Sequence, residues 1–495
     1  MKYRYIYLLL IFSMVGISNL LAIQPRERSK LEIDLEPKIY TSLEEALKNP
    51  EQVQIMDLSG QEIIVLPTSI KYFVNLQKLD LSLNKLNTLP KEMVYLSRLE
   101  VLNLTTNNFR EVPKSLCQVT SLRELYLGNN RLTNLPKDIE QLRALQHLSL
   151  YENQLYTLPR ELEHMKNLQE IVLNYNMFKQ FPKVLADVIT LENISISGNK
   201  IRELPNELKG LKNLHIINLE ENVFLEFPVV LDKIPSLQEV NLANNFISVI
   251  PDKALNKHSL QYLDLSNNLL PSINPKIKNL KDLIYLDLEG NKLEYLPTEI
   301  GQLTKLTELN LSNNKLKEIG KEIGNLQVLK TLYLSHNELK NLPENISSLT
   351  QLTYFDLSFN ALSSFPTVLL SLPLEFLSLE NNKITELPPS IKSLDKLTHL
   401  NLSTNQLTTL PEEITTITTL NYLYISDNKI INLPENSTDL VNLRELYLHN
   451  NLVEKLPTNL LGWKKLELII LKGNPLLPFE TKRIKESITS AEIRE

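Results

Sequence analysis

Two aspartates, Asp264 and Asp287, stand 23 residues apart in the same local phrase, Tyr-Leu-Asp-Leu. Paired carboxylates can share a proton and divide acid and base roles, as in protease and glycosidase dyads. Glu220, Glu221, Glu239, Glu289, Glu308, Asp356 and Glu380 fall in neighbouring registers. A second group is aromatic. Tyr262, Tyr285, Tyr354, Phe376 and Tyr422 occupy one register, and Tyr333, Tyr424 and Tyr447 occupy the next outward one. Such rings are the commonest material of protein-binding hot spots, and acids among them suit a partner offering Lys or Arg. The plainer alternative is that tyrosine packs well on any sheet surface and that aspartate or asparagine here serves strand ends.

Other chemistry is sparse. His336, His399 and His449 fall in separate repeats and read as solvated surface. Asp427 beside His449 is the one pairing from which a metal site could be built, and no metal or cofactor is assigned. Cys117 is the only cysteine, so no intramolecular disulfide can form. No Walker A loop, Gly-x-Ser-x-Gly, His-Glu-x-x-His or Cys-x-x-Cys occurs. The aspartate pair is expected on an open sheet face without a pocket to exclude water, so no catalytic residues are assigned and the chain reads as a non-enzyme. A formal charge of -6 disfavours a generally basic nucleic-acid binder.

What positions these residues is a repeat. Asparagine recurs every 23 residues at Asn84, Asn107, Asn130, Asn153, Asn176, Asn199, Asn222, Asn245, Asn268, Asn291, Asn314, Asn337 and Asn360. After one 22-residue step it resumes at Asn382, Asn405, Asn428, Asn451 and Asn474, and Gln61 sits one period before the first. Each ends a phrase such as Leu76-x-x-Leu79-x-Leu81-x-x-Asn84-x-Leu86-x-x-Leu89-Pro90, which is identified as a leucine-rich repeat. Leu79-x-Leu81 alternates with period two, the pattern of a short strand buried on one face. One coil cannot bury its own leucines, so coils must stack, with their strands forming a parallel sheet. The expected fold is therefore α/β: a curved leucine-rich repeat solenoid with a concave parallel β-sheet and short α or 3-10 segments on its convex side. The asparagine amide, both donor and acceptor, is expected to form a ladder satisfying backbone groups at the bend. Proline follows the last leucine except in the units of Asn268, Asn314 and Asn474, and is expected in the first turn of the return limb. Gly320 replaces it in one unit and should relax that limb. The lost residue between Leu372 and Leu374 should alter curvature slightly or be silent.

The array is expected over 53–478, about 19 units, with a cap helix at 38–52 and a closing helix and tail at 479–495. Ser42-Leu-Glu-Glu45 has the form of a capping box. Lys2 and Arg4 followed by Leu8 to Gly16 read as a secretory signal over 1–22, cleaved near Ala22, before a loosely ordered lead at 23–37. An uncleaved anchor is the alternative, although Ser13, Gly16, Ser18 and Asn19 interrupt the stretch. No cysteine follows the signal, as lipidation would require. Export into periplasm, surface or medium remains, without stable membrane insertion.

The repeat phrase, with the lead-in Tyr40-Thr-Ser-Leu-Glu-Glu-Ala-Leu-Lys-Asn-Pro50 and Asp57-Leu-Ser59, resembles the exported leptospiral leucine-rich repeat proteins and, more distantly, the internalins. That resemblance implies a non-enzymatic recognition protein engaging host surface or matrix proteins, an adhesin or virulence effector. Self-association as an envelope scaffold, or intracellular signalling if the signal is spurious, are the alternative readings.

Overall fold

Three residues, such as Lys78–Asp80, Tyr262–Asp264 or Tyr422–Tyr424, are all the strand a coil provides. A strand this short has no independent stability. Stacking supplies its partners: Glu239, Val240 and Asn241 lie beside Tyr262, Leu263 and Asp264, which lie beside Tyr285, Leu286 and Asp287, all parallel. The result is one open 21-stranded sheet along a leucine-rich repeat horseshoe. The computed structural model describes residues 38–256, 259–489 and 491–494. The chain divides into Met1–Ile39 and Tyr40–Glu495, and the solenoid is the second unit. The expected signal segment and lead lie outside the described residues.

The central apolar residue of each coil's strand, Leu79, Leu263 or Leu423 for instance, is buried, and so are Leu81, Leu265 and Ile425 two residues on. The asparagine then closes the bend. Asn314 Nδ2 donates to the carbonyls of Leu288, Leu311 and Ser312 at 2.9, 3.1 and 3.1 Å, while its Oδ1 accepts from Leu293 N at 3.0 Å. The same set recurs at Asn107, Asn222 and Asn405. At the first rung Gln61, one methylene longer, turns its amide to Thr41 O instead, 2.7 Å away. A feature absent from the sequence reading precedes every rung: the residue before the asparagine has positive φ, as at Leu83, Thr106, Phe359 and Thr404, with glycine there at Gly198 and Gly290. The chain must reverse tightly there so that the amide can point inward.

The return limb is mostly a five-residue 3-10 turn, as in Lys91–Tyr95 and Thr298–Gln302. Proline sits just before it rather than in its first turn: Pro90 has φ −66 and ψ 150, and its carbonyl accepts from Met93 N at 3.2 Å. Gly320 does not relax the limb. Its φ of −63 and ψ of 151 are those of the prolines, because the packed neighbours Ile323 and Leu326 dictate the path. At Asn274 the side chain takes over, accepting from Lys276 N at 2.9 Å before the turn Pro275–Asn279. The missing residue of the 22-residue unit is absorbed ahead of the strand. Leu372 becomes extended, with ψ 146, and Phe376 still lies beside Tyr354 and His399.

At the N-terminal end of the array Ser42 caps a helix, Leu43–Ala46, through Glu45 N at 3.4 Å. At the other end the helix Pro478–Ser487 folds over the last coil, with Ile484 buried. The tail beyond it is more than a helix: Glu492–Arg494 adds a last parallel strand beside Leu468–Ile470.

Candidate functional site

Outward positions of the strands line the concave face. The registers put Tyr262 beside Tyr285, and Tyr354 beside Phe376. Ring centroids are 5.1 Å apart for Tyr333 and Tyr354, 4.1 Å for Tyr354 and Phe376, 5.8 Å for Phe376 and His399, and 4.3 Å for His399 and Tyr422. Two of these contacts are flat stacks, at 2° and 17°. The rings form one unbroken run. Beside it Tyr424 pairs with Tyr447 at 4.7 Å, and Tyr447 meets His449 edge-on at 6.4 Å. Tyr262 and Tyr285, 6.0 Å apart, form a separate pair nearer the N-terminus.

His399 is thus a member of the run and not a solvated surface group. Thr398 Oγ1 lies 2.8 Å from its Nδ1, and burial holds its pKa below the usual histidine value. A stack of His336 on Phe359, at 4.0 Å, was also not anticipated. Both occupy the left-handed position before a rung. Aromatics also gather earlier in the chain than the sequence reading placed them. Tyr126 meets His147 at 4.9 Å, and Tyr151 and Tyr175 lie across Gly128 and Gly198, where a β-carbon would collide with the ring. The register positions of these residues are legible in the sequence, whereas the lean of their side chains across neighbouring strands is not.

The acids are partly structural. Asp264, Asp287 and Asp356 each accept the amide two residues on, from Ser266, Glu289 and Ser358 at 2.8, 2.8 and 2.9 Å. Asp287 also accepts from Tyr285 Oη and Asn310 Nδ2, each at 3.0 Å. Glu289 accepts from Asn310 and Asn313 at 2.9 and 3.1 Å. The aspartate pair was expected to be water-exposed. Asp287 is instead buried, with Tyr285 and Asn310 bonded to it, and Asp264 is half-buried. Burial, then the charge of Asp287, lifts Asp264 to about 7. Burial also raises Asp287, Glu220 and Glu239, and the Tyr285 hydroxyl is pushed far up by burial and the two aspartates. No Lys or Arg occupies an outward strand position between Ile216 and Asn313.

His449 Nε2 lies 3.5 Å from Asp427 Oδ2. Among the described residues no three metal-binding side chains converge, and no helix is long and apolar enough to cross a membrane. Cys117 is buried, and burial, then Asp138, pushes its thiol up to about 11.

The leucine rich repeat family matches residues 47–116, 120–178, 235–293, 304–362 and 373–430. The chain belongs to the leucine-rich repeat family. Among solved structures it is similar to a leucine-rich repeat protein of Leptospira interrogans, 34% identical over 92% of this chain and 100% of that one, with a TM-score of 0.62. It is also similar to the Arabidopsis receptor kinase HAESA in complex with the peptide hormone IDA and a co-receptor, at 25% identity, 89% and 83% coverage and a TM-score of 0.63. For YopM from Yersinia enterocolitica the figures are 25%, 94% and 91%, and 0.54. No curated protein matches. The fold is typically a non-enzymatic, protein-binding scaffold, and these neighbours support a protein-interaction module.

Proposed function

We propose that this chain is an exported recognition module that grips a protein partner along its concave sheet, acting as an adhesin or effector toward host surface or matrix proteins. The observation that carries this is the unbroken ring run from Tyr333 to Tyr422. Leucines below already fill the core, so the fold does not require five consecutive outward aromatics, whereas a protein interface uses them well. Similarity to the leptospiral structure supports a bacterial setting. The binding role is proposed without enzymatic activity.

The test is capture of host surface and matrix proteins by the full chain and by a Tyr354→Ala, Phe376→Ala, Tyr422→Ala variant with matched circular dichroism. Capture that drops at least tenfold in the variant supports the reading, and undiminished capture refutes it. Protease treatment of intact cells addresses export: a shielded chain would place it in the periplasm or cytoplasm and remove the host-facing role. Light scattering addresses the scaffold alternative, which requires an oligomer.

A further inference from the structure

The identity of the partner can be narrowed, and this step rests on the concave-face reading above. Along the solenoid the face changes character in blocks. Glu220, Glu239, Asp264, Asp287 and Glu308 occupy successive coils without a basic outward neighbour, and the ring run follows from Tyr333 onward. Glu220 accepts from Asn241 and Asn244 of the next coil at 3.2 and 3.0 Å, but at Asp264 the backbone bond does not need an acid. Asn103, Asn218, Asn241, Asn310 and Asn401 make the same bond to the amide two residues on with a neutral side chain. The charge at Asp264 is therefore surplus to the fold, and burial opposes it, whereas Asp287 is also held by Tyr285 and Asn310.

We infer that the face between Glu220 and Tyr447 docks one extended polypeptide segment, rich in Lys or Arg where it crosses the acidic strands and in proline, aliphatic or aromatic residues where it crosses the ring run. Charge complementarity selects the first half. The second half follows from ring geometry. Tyr354, Phe376 and His399 each have aromatic neighbours on both sides, so the middle of the run offers no open flat ring face to a sugar or a nucleobase. What remains is an apolar ridge. A nucleic acid would also meet the acids, and a metal finds no three converging ligands among the described residues. The length is set by the sheet. From Ile216–Asn218 to Glu445–Tyr447 successive strands step at ~4.8 Å, roughly 48 Å in all, which an extended chain rising ~3.1–3.4 Å per residue spans in about 14–16 residues.

The experiment is selection of a random 16-residue peptide library on the full chain, in parallel with a Glu220→Gln, Asp264→Asn, Glu308→Gln variant checked for an unchanged fold by circular dichroism. Asp287 is left in place because three groups bond to it. Expected are selected peptides with Lys or Arg gathered in one half and apolar residues in the other, binding the parent at least tenfold more tightly than scrambled versions. The variant should lose the basic bias and retain the apolar one. Peptides without charge segregation, the same basic bias in the variant, or no enrichment would each overturn the inference. If host-protein capture still depends on Tyr354, Phe376 and Tyr422, that failure leaves the broader function standing.

Discussion

Replacing Asp264 by asparagine should stabilise the protein, and by an amount that depends on pH in a defined way. Asp264 accepts from Ser266 N, which an asparagine oxygen does equally well in sibling coils. What changes is the charge. With a folded pKa of about 7 against ~3.9 when unfolded, the native state binds the proton more tightly. Stability from this group is fully present below ~3.9, falls as pH rises to about 7 and is flat above. Three units at ~1.4 kcal/mol each set a ceiling near ~4 kcal/mol. Coupling to Asp287 and the partial exposure of Asp264 reduce it, and a gain of about 1–3 kcal/mol above pH 7 is expected. Urea midpoints of parent and variant at matched pH between 4 and 8.5 give the difference, in which most other titrating groups cancel. The gap should open between pH 4 and 7 and then hold. A variant less stable than the parent at pH 8, or a gap independent of pH, would refute the reasoning. Asp287→Asn is the contrast: its amide would face the Asn310 amide that now donates to it, so it should destabilise.

Asn314→Ala removes three donations and one acceptance inside the core and should lower stability by about 2–4 kcal/mol, read from urea midpoints, whereas Asn474→Ala, at a part-buried end rung, should cost less. Gly320→Pro should stabilise by ~0.4–1 kcal/mol, because the glycine already holds the backbone angles of its proline counterparts; a lower midpoint would mean that its amide is needed. Cys117 should resist thiol reagents at pH 8 in the native protein and react only on unfolding, since burial keeps the thiol protonated; labelling at the rate of a free thiol would show the return limb to open readily.

Period and chemistry made the solenoid legible, because a ladder asparagine must recur wherever a coil bends. The neighbours Tyr262 with Tyr285 and Tyr354 with Phe376 followed from the same spacing. The left-handed position was legible too, in pairs such as Asn129-Asn130, Asn313-Asn314, Gly198-Asn199 and Gly290-Asn291, since asparagine and glycine tolerate positive φ best. It went unread because Thr404 and Phe359 occupy it as well. Two things were out of reach. Side chains lean across strands, so His399 joined a stack and Tyr151 covered a glycine. Burial of Asp287 depends on the reach of Tyr285 and Asn310, which register alone does not give.

The unit that lacks one residue holds a lesson about ancestry. Its strand keeps register with both neighbours, so stacking tolerates a change of length on the return limb. Gain or loss of a whole coil by unequal recombination would leave the folded rod intact while sliding everything downstream by one rung. The spacing between the acidic coils and the ring ridge is then adjustable in ~4.8 Å increments, which would shift the register of the peptide proposed above without altering a side chain that lines the face.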